Sequence, residues 1–136
     1  MIVCDTGPLV AAVDADDHHH DECLELLETV EGPLIVPVTV AVEVCQLVER
    51  VRGAAAEAAF LRSLVGGDLV LEPIGPGDLA RAAELVDTYA DLPLGMVDAS
   101  VVAVAERLRI TELATLDRRH FSVVRPTHAA AFTLVP

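Results

Sequence analysis

The stretch Met1-Ile2-Val3-Cys4-Asp5-Thr6-Gly7-Pro8 decides the fold. Its first four residues are a short apolar run that reads as a buried strand, and Asp5 to Pro8 read as strand end and helix cap. A helical stretch follows through Val13. The same alternation then repeats along the chain. A second helix is expected from about His18 to Val30, with Cys23, Leu26, Leu27 and Val30 at helical spacing, and Gly32-Pro33 stops it. Leu34-Ile35-Val36 is a second strand. A helix over 38–52 follows Pro37, then Gly53, then an Ala-rich helix to Val65. Leu69-Val70-Leu71 is a third strand, and Pro76 to about Tyr89 is helical, with Pro76 and Asp78 in its first turn. Pro93-Leu94-Gly95 precedes a helix from about Met96 to Leu108; Leu113-Ala114-Thr115-Leu116 is a fourth strand, and Phe132 to Val135 is a candidate fifth.

Short apolar strands alternating with helices predict an α/β domain whose mostly parallel sheet is covered on both faces. At 136 residues, with no repeat and no long linker, the chain reads as one domain over 1–136. In such sheets the site lies outside the carboxyl ends of the strands. That rule alone singles out Asp5, after the first strand, and Asp117, after the fourth.

Two further acids sit on apolar stripes. Glu43 has Val40 and Leu47 at helical spacing, with Val44 and Val48 close by, and Asp98 heads the stripe Val101, Val102, Ala105, Leu108. A buried ionised carboxylate costs several kcal/mol unless it is paired or binds a metal. The chain has no Lys to pair with these acids and few Arg near them in sequence. Capping roles for Asp5 and Asp98, and a boundary position for Glu43, would explain any one of these acids. They do not explain all four at two strand ends and two apolar stripes. The economical expectation is that Asp5, Glu43, Asp98 and Asp117 converge on a hard divalent cation. An oxygen-only set favours Mg²⁺ or Mn²⁺ over zinc. Such a cation supports hydrolysis at phosphorus.

Composition sets the bounds. The chain is 53% apolar with mean hydropathy +0.50, yet no apolar run approaches the roughly 18 residues of a membrane span. Asp5 comes after only four residues with no basic segment before it, so a signal peptide is not expected and the chain reads as cytoplasmic. Cys4, Cys23 and Cys45 lack metal-site or disulfide spacing and read as small buried apolar groups. The 22 acids against 9 bases, net −13, count against nucleic-acid binding. Against that stand Arg107, Arg109, Arg118, Arg119 and Arg125, expected to form a local basic rim that suits RNA phosphates, while the acidic remainder suits a basic protein partner. His18-His19-His20 reads as a solvated helix start rather than a metal cluster, because consecutive helical residues point in different directions. Arg118-Arg119-His120 can reach a scissile phosphate or pair with surface acids.

Taken in order, four segments resemble the PIN-domain family. Met-Ile-Val-Cys-Asp5-Thr6 is similar to its opening, and Pro37 followed by Glu43-Val44 to its second acidic motif. Gly95-x-x-Asp98-Ala99 is similar to the third, and Leu113-Ala-Thr-Leu-Asp117-Arg-Arg-His-Phe121 to the fourth. The resemblance implies a central parallel five-stranded sheet flanked by helices, and an Mg²⁺- or Mn²⁺-dependent endoribonuclease leaving 5′-phosphate and 3′-hydroxyl ends. It implies metal-ligating roles for Asp5, Asp98 and Asp117, and for Glu43 as ligand or water orienter. Thr6 matches a hydroxyl near the first aspartate, Thr115 is a supporting or substrate-side residue, and Arg118 and Arg119 are substrate-binding candidates. Compact members of this kind are commonly VapC toxins, dimeric and inhibited by a VapB antitoxin. A homodimer is expected from the helices of 38–65, where Ala54 to Ala56, Ala58 and Ala59 permit close approach.

Two other classes fit parts of the pattern. A phosphoryl-transfer domain of receiver or haloacid-dehalogenase type would also place acids at strand ends. Both need a Lys that is absent, and the second needs an acid where Gly7 stands. A non-catalytic acidic interaction module would bind a basic partner without any metal dependence.

Overall fold

The computed structural model describes Met1 to Pro136. In chain order the elements are β1 (Ile2–Cys4), α1 (Thr6–Val13), α2 (His20–Thr29), β2 (Leu34–Pro37), α3 (Val38–Arg52) and α4 (Ala54–Gly66). They continue with β3 (Val70–Glu72), α5 (Pro76–Thr88), α6 (Met96–Leu108), β4 (Glu112–Ala114), α7 (Arg118–Val123) and β5 (Thr133–Val135). The strands form one five-stranded sheet in the order β3-β2-β1-β4-β5. Every neighbouring pair is parallel, with Val3 aligned to Ile35 on one side and to Leu113 on the other.

Successive strand residues point to opposite faces of a sheet. All residues of β1 and β2 are buried, so both faces are covered there, as the apolar runs predicted. The edge strands β3 and β5 are partly exposed. Beneath the sheet centre runs α6, in which Ala99 to Ala105 are buried without interruption. A helix buried all round carries no polar face. The expected single stripe was too narrow a description, since α6 packs between α5, α3 and the central strands. Alanines at 99, 103 and 105 make that enclosure possible.

Beyond shifts of a residue at other ends, two boundaries and one short helix differ from the sequence expectation. The chain does not enter α2 until His20, because the Asp17 side chain accepts a hydrogen bond from the His19 backbone N–H (2.8 Å) and holds a turn. The fourth strand ends at Ala114, so Asp117 does not follow it directly. It instead caps α7, a six-residue helix not anticipated because Phe121 is its only buried side chain.

Candidate functional site

Strand order reverses direction at β1 and β4, whose carboxyl ends lie side by side. The Asp5 backbone N–H donates to the Ala114 carbonyl (2.8 Å) and locks the two ends together. Asp5 occupies the cap position of α1, but its carboxylate makes no capping bond. Instead Oδ2 accepts from the Thr115 hydroxyl at 2.8 Å, and both side chains are buried. The same Thr115 oxygen accepts the Asp117 backbone N–H at 2.9 Å. Asp117 Oδ1 in turn accepts the backbone N–H of His120 at 3.0 Å, which starts α7. The His120 ring then returns to α6: Nδ1 lies 2.8 Å from Asp98 Oδ2 and 3.0 Å from Asp117 Oδ2. One unbroken polar chain thus runs from β1 through β4 and α7 to α6.

A cleft of about 630 Å³ opens over this chain, lined by Asp5, Thr6, Glu43, Asp98, Asp117, Arg118 and Arg119 among others. All four acids singled out in the sequence therefore line one cleft, supplied by β1, α3, α6 and the β4–α7 turn. Two of these acids, Asp98 and Asp117, form a group with the neighbouring His120 whose ligand atoms lie within 4.8 Å of one another. Asp5 and half-buried Glu43 line the cleft outside that group.

Burial pushes the Asp5 carboxyl up to about 6; the Thr115 hydroxyl and the Thr6 backbone N–H oppose this, and the charges of Asp98 and Glu43 add to it. Burial also raises Asp98, only partly offset by His120, with Asp117 adding repulsion. Asp78 offers the contrast. It is as buried as Asp5, and burial works against its charge, but the Arg107 guanidinium (2.9 Å) and the Gly75 N–H (3.0 Å) outweigh that and lower it. The fold therefore gives one buried acid an arginine and leaves the other without a cationic side chain. Thr6 lines the same cleft, and its buried hydroxyl has no hydrogen-bond partner. Oxygen donors, repelling charges and a vacant hydroxyl are the chemistry that a hard cation satisfies.

The arginines do not assemble as expected. Arg118 and Arg119 line the cleft, but Arg107 is tied to Asp78 and Glu72. Arg109 sits at the opposite ends of the strands, near Met1 and Thr133. The reason is the direction of α6, which carries its carboxyl end away from the site. The three consecutive histidines are not brought together on a site: His19 contacts Glu22 and His20 contacts the Ala11 carbonyl. His120 was expected only to reach a phosphate or pair with surface acids; its place between Asp98 and Asp117 was missed, although Asp117 and His120 stand at the i, i+3 spacing of a helix turn.

Thr115 is buried at 1% exposure, so its geometry is that of a support for Asp5 and Asp117 rather than a surface contact. Thr115→Val keeps the shape and removes both bonds. Activity or metal affinity is expected to fall about 10–100-fold with circular dichroism unchanged. A variant with full activity would show that Asp5 needs no such support.

Residues 2–125 match the PIN domain family. Over 135 residues the chain is 37% identical to ribonuclease VapC26 of Mycobacterium tuberculosis, covering 99% of this chain and 100% of that protein. Among solved structures it is similar to Mycobacterium tuberculosis VapC20, a sarcin–ricin loop cleaving toxin, with a TM-score of 0.79 and 21% identity over 83% of this chain and 87% of that one. FitAcB from Neisseria gonorrhoeae is similar with a TM-score of 0.66 and 16% identity, over 100% of this chain and 97% of that one. At these identities the two structures speak to the fold.

Proposed function

This chain belongs to the PIN domain family, and from that premise we propose that it is a divalent-metal-dependent endoribonuclease of the VapC toxin type. The observation that carries the reading is the cleft over β1 and β4, lined by four acids, in which buried Asp5 has no cationic partner.

Asp5, Asp98 and Asp117 would hold Mg²⁺ or Mn²⁺, with Glu43 as a further ligand or as the carboxylate that orients the attacking water. When bound, the cation supplies Lewis acidity at a phosphate oxygen and a more acidic water. Thr115 keeps the Asp5 carboxylate aimed by its hydrogen bond. Arg118 and Arg119, at the cleft rim, would bind phosphates flanking the scissile bond and so position RNA without reading its sequence. Base stacking contributes little, since the chain has one Tyr, three Phe and no Trp. Cleavage would leave 5′-phosphate and 3′-hydroxyl ends.

The test pairs activity with stability. RNA cleavage is expected with Mg²⁺ or Mn²⁺ and not with EDTA. At ten times its Kd the cation should stabilise the fold by about 1.4 kcal/mol, raising Tm by roughly 3–6 °C. Cleavage in EDTA would overturn the metal assignment. Indifference of both readouts to the cation would favour the acidic interaction module instead.

The inhibitor fitting this cleft is a basic VapB-like antitoxin segment whose Arg or Lys enters among the four carboxylates and supplies the missing positive charge. A homodimer is supported by a separate surface. Val42 and Val51 on α3, Leu61 and Val65 on α4, and Val70 and Leu71 on the edge strand β3 are exposed. Of these, Val42, Leu61 and Leu71 line one shallow apolar groove; exposed apolar surface of this kind marks interfaces, and two-fold pairs are the commonest solution. Light scattering should give twice the monomer mass at micromolar concentration, and Val65→Asp with Leu61→Asp should return the monomer. A monomeric wild type would remove the dimer. No helix is long and apolar enough to cross a membrane, and cytoplasmic action accords with an RNA substrate.

A further inference from the structure

We propose that His120 is itself a ligand of the cation, a nitrogen donor in an otherwise oxygen set that biases the site toward Mn²⁺ over Mg²⁺. The proposal rests on the metal-site reading above and adds a residue to it.

Three observations carry it. First, one ring atom meets both neighbouring carboxylates, with Nδ1 at 2.8 Å from Asp98 Oδ2 and 3.0 Å from Asp117 Oδ2. The three donor atoms lie within 4.8 Å of one another. Donors about 2.1 Å from one ion lie at most roughly 4.2 Å apart, so the group needs only a small contraction. Second, the ring is delivered by a fixed support. The His120 backbone N–H is bonded to Asp117 Oδ1, and the next residue, Phe121, is buried in the core. Third, Thr6, which lines the cleft together with Asp98 and Asp117, carries a buried hydroxyl without a hydrogen-bond partner.

The consequence for ion choice follows from ligand chemistry. Mg²⁺ binds oxygen and gives up water reluctantly, whereas imidazole suits first-row transition metals. Exchanging one oxygen donor for a nitrogen therefore helps Mn²⁺ more than Mg²⁺.

Mn²⁺ alone, added to the intact protein, tests this by pulsed electron paramagnetic resonance, alongside titrations with Mn²⁺ and Mg²⁺. Wild type should show nitrogen hyperfine coupling to the bound Mn²⁺. His120→Asn should lose it, with Mn²⁺ affinity falling about tenfold or more and Mg²⁺ affinity changing less than about threefold. The wild-type spectrum needs no variant to fold. If Mn²⁺ binds in an Asp98-dependent way without nitrogen coupling, or if coupling persists in His120→Asn, the His120 assignment fails and the metal-nuclease reading stands. An equal loss of both ions in His120→Asn would overturn the selectivity claim. If Mn²⁺ does not bind, or binds regardless of Asp98→Asn, both readings fall together.

Discussion

Asp98→Asn should lower RNA cleavage by at least about 100-fold while leaving the fold intact. The substitution preserves size and keeps an oxygen able to face His120, but it removes the charge that a divalent ion requires. Asp98 is the acid that links α6 to the donor group formed with Asp117 and His120. Burial already disfavours its ionised form, so the metal-free fold should tolerate the neutral amide well. Loss of activity with an unchanged or slightly raised metal-free Tm is thus the expected pair of results. Asp5→Asn should behave likewise, because its carboxyl is held up to about 6 mainly by burial. Wild-type turnover in a folded Asp98→Asn protein would remove that residue from the site.

Phe121→Ala is expected to produce the largest loss of stability. Phe121 is 1% exposed and belongs to the main core cluster. Truncating a buried Phe costs about 3–5 kcal/mol through lost burial and the cavity left behind. Domains have only about 5–15 kcal/mol in total, so Tm should drop by roughly 10–20 °C. The site should suffer with the fold, since α7 has no other buried side chain and carries His120 beside its Asp117 cap. Urea unfolding measures the loss directly. A cost below about 1 kcal/mol would mean that the core refills the space and that α7 is anchored by its cap instead.

Legibility in the sequence followed the range of the interactions involved. The helices over 38–52 and 96–108 were placed at their observed limits because Pro37 and Gly53 bound the first, Gly95 opens the second, and each holds a sustained apolar pattern. The parallel sheet followed from alternation, Asp5 and Asp117 from their places after strands, and Glu43 and Asp98 from their conflict with apolar stripes. What could not be read depends on groups distant along the chain. Arg107 is 29 residues from Asp78, and nothing local says that one neutralises the other and so leaves the RNA cleft. His120 meets Asp98 across 22 residues, and its helix is too short to leave a periodic trace. Strand order, and with it the meeting of Asp5 and Thr115, is likewise a property of the assembled sheet.

That last contact spans 110 residues and joins the first strand to the fourth. It has a consequence for the order of events during translation. A nascent chain emerging from the ribosome carries Asp5 first, but nothing fixes that carboxylate until the segment bearing Thr115, Asp117 and His120 has followed. Partial products of synthesis therefore contain no assembled cleft. Nuclease activity is expected only when nearly the whole chain is out and folded.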